Sequence, residues 1–241
     1  MLCLGGRHFL IDCGISLLRL KNGLARAGLT VSDIEAVIVT HLHTDHVCGF
    51  PSWFPKTRLR FLFPEQVAGR LLGTVGRQAM GSRIFSFTAN QEYAFDGVWF
   101  HALPLSHDAP ETVAVVLEDG SAKCVHATDL GVTSSELAVE CEGADLVFLE
   151  ANHELSLLRH GPYPPLLKRR IAGPRGHLSN EGAVRFLLNL DMPPRKVVLG
   201  HLSEVNNSPD AVKERAEASG LLRVCSELLI AHQRRPTEVS Y

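Results

Sequence analysis

Residues 41–46 read His-Leu-His-Thr-Asp-His, directly after the apolar run Ala36-Val37-Ile38-Val39-Thr40. Four metal-capable side chains packed into six positions at a strand end predict a metal site. Two imidazoles at i and i+2 point the same way while the chain is extended, so His41 and His43 can close on one cation. Asp45 and His46, just beyond, can face a second. A polar loop that merely happens to be histidine-rich would crowd several amphipathic rings together with no shared partner, which their ordinary exposure preferences disfavour.

A two-metal site needs more donors than this loop supplies, and later strand ends offer three. His107 follows an expected strand at 98–103, Asp129 follows one at 123–127, and His201 follows one at 196–199. A single polar residue after a strand is usually a turn former or cap. Three in the same setting, added to the histidine loop, point to ligands. Neutral imidazoles and carboxylates suit Zn, Mn or Fe, and no thiolate is placed to impose zinc alone. Two such ions about 3.5 to 4 Å apart share a hydroxide that is nucleophilic near neutrality and polarise the oxygen under attack, so the expected reaction is hydrolysis.

The elements that must carry these residues are short. Apolar runs bounded by Gly, Pro, Asp or Asn predict strands at 8–12, 36–40, 58–63, 83–87, 98–103, 112–117, 123–127, 146–149 and 196–199. A helical stripe of Leu17, Leu18, Leu20, Leu24 and Ala27 follows the first strand, and further helical patterns fall at 64–72, 134–141, 180–190 and 209–218. Strands mixed with helices and no composition break predict one α/β domain over 1–241, with two sheets covered by helices and loops converging at one edge.

Composition sets the remaining bounds. The chain has 241 residues, 45% hydrophobic and 21% charged, as an ordinary globular protein does. A net charge of −2 argues against a general positive field for nucleic acid, so a polyanionic substrate would need a local cradle. No stretch approaches the roughly 18 to 20 apolar residues of a membrane span, and the first residues lack signal-peptide order, so a cytoplasmic location without membrane association is expected. Six scattered cysteines with no Cys-x-x-Cys pair are expected to be reduced thiols.

Taken together, Asp12, the loop His41 to His46, His107, Asp129 and His201 match in order the five motifs of the metallo-β-lactamase superfamily, which the sequence resembles. Within it the likeness is to the YycJ/WalJ group, itself similar to tRNase Z. That likeness rests on Ser106-His107-Asp108-Ala109, Thr128-Asp129, Glu150-Ala151-Asn152-His153-Glu154, Tyr163-Pro164, Lys168-Arg169-Arg170-Ile171, Gly176-His177-Leu178-Ser179-Asn180-Glu181, His201-Leu202-Ser203 and Asn206-Asn207. It runs from about Phe9 to Asn207. The resemblance implies a four-layer αββα sandwich. Members of the group usually begin with an extra strand and a Ser-Gly-Ser-x-Gly-Asn loop, and this sequence starts beyond that point, so either the start is assigned too late or the sandwich lacks that first strand and loop.

By the same resemblance His41, His43 and His107 hold one of two divalent ions, Asp45, His46 and His201 the other, and Asp129 bridges them. Asp12 is expected either to support the histidine loop by hydrogen bonds or to be a strand-end turn residue. Asp45, Glu150 and His177 are the catalytic candidates, with the Glu–His pair delivering a proton to the leaving oxygen, the alternative for His177 being a cap on the helix that begins near Asn180. Asn152, His153 and the basic run Lys168, Arg169 and Arg170 are candidate substrate contacts, although a short charge run is ordinarily a solvated helix face. The expectation is a phosphodiesterase acting on DNA as a 5′-to-3′ exonuclease. Two rival readings are a hydrolase of a small ester, thioester, lactone or cyclic phosphodiester on the same fold, and a binding module with an inactive metal site.

Overall fold

A computed structural model of the chain describes residues 1–69, 83–95, 97–232 and 237. It divides into two compact units, Met1–Pro104 with Ala109–Asp119, and Leu105–Asp108 with Gly120–Tyr241.

In the first unit β1 (Leu2–Leu4) turns back through Gly5 and Gly6, both at positive φ, and pairs antiparallel with β2 (Arg7–Ile11). The edge of β2 is thus paired. From β2 the sheet continues in parallel through β3 (Ile34–Ile38), β4 (Phe61–Pro64) and β5 (Ile84–Phe87). Helix α1 (Leu17–Arg26) links β2 to β3. The Ser16 hydroxyl accepts from the Arg19 N–H at its start, and its Leu20 and Leu24 face is buried. Two short helices, α2 (Thr44–Val47) and α3 (Phe50–Trp53), follow β3. Phe50 stands edge-on to Phe61 and Phe63 of β4, with ring centroids 5.0 and 5.5 Å apart, so aromatic packing anchors the chain just beyond the histidine loop. The unit also holds an antiparallel meander of β6 (Glu92–Phe95), β7 (Val98–Pro104) and β8 (Val113–Glu118).

The second unit carries a parallel sheet in the order β12-β11-β10-β9, formed by β9 (Lys123–Ala127), β10 (Leu146–Glu150), β11 (Lys196–Gly200) and β12 (Glu227–Ile230). Its central strands β10 and β11 are mostly apolar and buried, as parallel strands covered on both faces are, whereas His126 interrupts β9 and the edge strand β12 is half-buried throughout. Five helices accompany them: α4 (Ser135–Cys141), α5 (Leu155–His160), α6 (Pro165–Ile171), α7 (Asn180–Leu188) and α8 (Pro209–Ser219). Ser134, Ser179 and Ser208 cap α4, α7 and α8 by accepting backbone N–H groups. The architecture is therefore mixed α/β with sheets flanked by helices.

All nine expected strands form, with ends shifted by up to three residues. Among the described residues three more form, β1, β6 and β12, each three or four residues long. The expected helix at 64–72 is helical over 65–69, and 70–72 lie outside the described residues. Helices α2, α3, α5 and α6 are additions; α2 and α3 are single turns, and α6 buries none of its residues, so it has no apolar stripe to read. All six cysteines are unbridged. Among the described residues no helix is long and apolar enough to cross a membrane.

Candidate metal and hydrolytic site

The chemistry-bearing residues sit where parallel strands end. Asp12 follows β2 and His41 comes three residues after β3, while Asp129 follows β9, Glu150 closes β10 and His201 follows β11. The carboxyl ends of parallel strands are where open α/β sheets carry their ligands, because the loops there are released from the ladder while the strands fix their origins. Among the described residues five non-glycine residues have positive φ, and three of them are Asp12 (62°), Asp129 (62°) and His201 (55°). That left-handed backbone is costly for a residue with a Cβ, and such strain concentrates at sites where side-chain direction matters.

In the first unit Asp12 organises the histidine loop. Its Oδ1 accepts the Thr40 N–H at 2.7 Å, and its two oxygens lie 3.1 and 3.0 Å from the Thr40 hydroxyl. Its Oδ2 takes the Nδ1–H of His46 at 2.7 Å. The Thr40 hydroxyl, its proton committed to Asp12, accepts in turn from His41 Nδ1 at 3.0 Å. A carboxylate can only accept, so this relay puts Nδ1–H on both His46 and His41 and the lone pair of each on Nε2. His41 and His46 are buried with ring centroids 4.1 Å apart, and His43 lies 4.7 Å from His41. Asp45 is exposed, with Oδ2 3.6 Å from His46 Nε2. The loop also presses on the turn after β2. A Cβ at Gly14 would come within 1.5 Å of the Asp45 carbonyl oxygen, so only glycine admits this approach.

Asp12→Asn tests the relay. Asparagine tolerates the left-handed backbone but sets an amide beside Thr40 and His46 donors. The variant is expected to fold and to hold divalent metal about 10- to 100-fold more weakly, as loss of a partner behind a ligand does, measured by competition with a chromogenic chelator.

In the second unit Glu150, fully buried, is the hub. Its Oε1 accepts from His177 Nδ1 at 2.8 Å and from His201 Nδ1 at 2.6 Å, and its Oε2 accepts the N–H groups of Leu130 at 3.2 Å and Leu178 at 2.9 Å. Asp129 Oδ2 lies 3.7 Å from His201 Nε2, and Asp129 Oδ1 lies 3.6 Å from His107 Nε2. His107 Nδ1 donates to the Gly176 carbonyl at 3.0 Å, again placing the lone pair on Nε2. Donor atoms of Asp129, Glu150, His177 and His201 all fall within 4.8 Å of one another.

Burial alone would raise the Glu150 carboxyl, but hydrogen bonds and charge from His177 and His201 outweigh it and hold the pKa far below the usual carboxylate range. Burial would lower His177, yet the bond to Glu150 and the charges of Glu150 and Asp129 raise it above its ordinary value. Burial lowers His107, which keeps it neutral as a ligand must be.

The donor chemistry fits divalent metal. His41, His46, His107 and His201 each turn Nδ1 toward a protein acceptor and present Nε2 as the lone-pair nitrogen, the pattern that metal-ligating histidines show. Asp129 and Asp45 add hard oxygens suited to Zn, Mn or Fe.

Other expected contacts have internal partners. Asn152 Nδ2 donates to the His201 carbonyl at 3.0 Å, bracing the strained residue, and His153 is buried with both ring nitrogens lacking a hydrogen-bond partner. Arg170 Nε bonds Asp108 Oδ2 at 2.5 Å and Lys168 Nζ bonds the Arg159 carbonyl at 2.8 Å, while Arg169 is exposed on α6. Thr40 and Asp108 stand in the quoted sequence patterns without a role of their own. Asp108, beside His107 and carrying a charge, was the more legible; nothing about Thr40 marks it as a relay until Asp12 is seen to reach it. Asn180 and Asn207, quoted only as pattern residues, exchange side-chain amide bonds of 2.9 and 2.8 Å, and Asn207 also bonds the Ala151 carbonyl at 2.7 Å.

The chain is similar in sequence and fold to known proteins. A family model described as a beta-lactamase superfamily domain matches residues 7–202. Exodeoxyribonuclease WalJ of Streptococcus pneumoniae serotype 2 (strain D39 / NCTC 7466) is 32% identical over 209 residues, covering 83% of this chain and 76% of the relative. Exodeoxyribonuclease YycJ of Bacillus anthracis is 27% identical over 241 residues, covering 98% and 91%. Among solved structures, the metallo-beta-lactamase fold protein YhfI of Bacillus subtilis superposes with a TM-score of 0.69 at 20% identity, covering 95% of this chain and 86% of that one.

Proposed function

Because the chain belongs to the metallo-β-lactamase superfamily, in its YycJ/WalJ-type branch, we propose that this metal-dependent hydrolase is a phosphodiesterase acting on DNA, and specifically a 5′-to-3′ exonuclease. Seven residues would hold divalent metal: His41, His43, Asp45, His46, His107, Asp129 and His201. Bound there, divalent ions would lower the pKa of water and polarise a phosphoryl oxygen.

The observation that carries the reading is the His177–Glu150 pair. Cleaving a phosphodiester expels an alkoxide, which leaves far more readily when protonated. His177, its Nδ1–H bonded to a buried carboxylate, retains a proton on Nε2 near neutral pH and can deliver it to the leaving oxygen. Glu150 stabilises that cation without becoming protonated itself, since its pKa is depressed. The same carboxylate fixes the His201 ring through Nδ1, so one residue orients both the acid and a ligand. Asp108 steadies Arg170, and the exposed Arg169 is the candidate contact for substrate phosphates. Asn152 acts by holding the His201 backbone.

The test is incubation of metal-loaded protein with 5′- and 3′-end-labelled single- and double-stranded DNA. Mononucleotide release from the 5′ end is expected, and Arg169→Ala is expected to lower DNA turnover and flatten its salt dependence by about one phosphate contact. No release with Mn, Zn or Fe would refute the nuclease reading. Turnover of a small chromogenic phosphodiester alone, indifferent to Arg169→Ala, would move the substrate to a small molecule.

A further inference from the structure

The five-stranded sheet of the first unit has a second feature at its other end. The histidine loop leaves the carboxyl end of β3, whereas Ile34 at the start of β3, Leu59 just before β4 and Arg83 just before β5 line a cavity of about 710 Å³. Seven residues of near-extended chain separate Ile34 from His41, a span on the order of 20 Å. The cavity is therefore no extension of the histidine loop.

Its lining is charged in one sense. Lys21, Lys56, Arg58 and Arg83 contribute to it, and none of its ten lining residues is acidic. In a chain whose net charge is −2, four cations around one hollow are a local reversal. The neighbouring acids are committed elsewhere. Asp33 accepts the Thr30 N–H at 2.6 Å and the Thr30 hydroxyl at 2.8 Å, and Glu35 pairs with Arg7 at 3.1 Å and with Arg60. Among the described residues no carboxylate pairs with any of the four lining cations.

Arg83 is the fixed element of this wall. Its Nη1 donates to the Phe54 carbonyl at 3.0 Å and the Thr57 carbonyl at 2.7 Å, and its guanidinium carbon lies 4.1 Å from the Phe54 ring centre. Carbonyls and a ring face position a guanidinium without cancelling its charge. Val31, Ile34 and Leu59 give the cavity an apolar side as well. Cations lining a cavity beside an apolar wall, in a volume inside the range of about 300–1,000 Å³ common to small-molecule sites, suit an anion attached to a flat or apolar body rather than a bare ion.

We propose that this cavity binds a phosphorylated small molecule of mononucleotide size, at a site separate from the hydrolytic one. The inference stands on the cavity alone and does not depend on the nuclease reading. Titration calorimetry of the full, metal-loaded protein with 5′-dAMP, and separately with inorganic phosphate, tests it. Saturable dAMP binding is expected, tighter than phosphate, and weakened at least about tenfold by the double variant K56E/R58E. Lys56 and Arg58 are exposed, and the variant is expected to keep wild-type hydrolysis and metal content. If charge reversal impairs folding, the milder K56Q/R58Q replaces it, with an expected weakening of several-fold. No dAMP heat at millimolar ligand, or affinity unchanged in the variants, overturns the proposal. So does binding of a single-stranded oligonucleotide that needs Lys56 and Arg58 when dAMP does not bind.

Discussion

Replacing Glu150 by Gln is expected to lower hydrolysis by roughly 10²- to 10⁴-fold, the range that a positioned general acid contributes. The substitution is nearly isosteric, so the effect would come from hydrogen-bond polarity. Glu150 accepts from two ring nitrogens and two backbone N–H groups, and glutamine must turn its amide NH₂ toward one of these donor pairs. At a fully buried position an unmatched donor costs about 1–3 kcal/mol, so the melting temperature should fall as well. A pH series separates chemistry from stability. His177 has a folded pKa raised above its ordinary 6.5, so its contribution to stability is complete below 6.5 and lost as pH rises through the folded value. The acid form therefore persists above 6.5, and the wild-type rate should decline on that basic side. In E150Q the decline should move to lower pH. Glu150 works in the opposite sense: depressed below 4.5, it stabilises the fold above that value and ceases to as pH falls toward its folded value. Unaltered rates in E150Q protein of wild-type metal content would remove Glu150 and His177 from the reaction.

Stripping metal with a chelator is expected to abolish hydrolysis and to lower the melting temperature together. Ion at 100 times its dissociation constant stabilises the folded state by about 2.7 kcal/mol, which for a chain of this size amounts to roughly 5–10 °C. Adding back Mn, Zn or Fe should restore both readouts. Asp129→Asn is expected to weaken metal binding by at least about 100-fold, and hence to remain inactive and fail to recover the melting shift at metal concentrations that rescue the wild type. A melting curve indifferent to chelator and metal would show that the histidines and Asp129 are held for some other purpose.

Much of this site was legible because metal chemistry demands unusual residue density. His41, His43, Asp45 and His46 in six positions had no economical alternative reading, and the strands that deliver Asp129, Glu150 and His201 were visible as apolar runs ending in a polar residue. The hub was legible as a type but not as a geometry: Glu150 ends β10 and His177 lies 27 residues later, and only folding brings Nδ1 to within 2.8 Å of the carboxylate. The Asp12–Thr40–His41 relay was half visible. Asp12 suggested support for the loop, but which ring nitrogen it would set depends on a hydroxyl proton whose direction no sequence pattern encodes. Short edge strands and the amphiphile-poor α6 escaped because neither leaves a periodic signal. The basic run reads differently once folded, since Lys168 and Arg170 bond the Arg159 carbonyl and Asp108 at the surface while Arg169 and Arg170 are both exposed.

The left-handed backbone at Asp12, Asp129 and His201 bears on how inert versions of this protein should be made. Alanine at any of the three would delete the side chain and also ask a Cβ-bearing residue with no polar compensation to occupy that conformation, mixing two kinds of damage. Asparagine is at home there, so D12N and D129N separate loss of charge from loss of shape. Such silent but well-formed molecules would be the natural baits for capturing a bound substrate before it is cut.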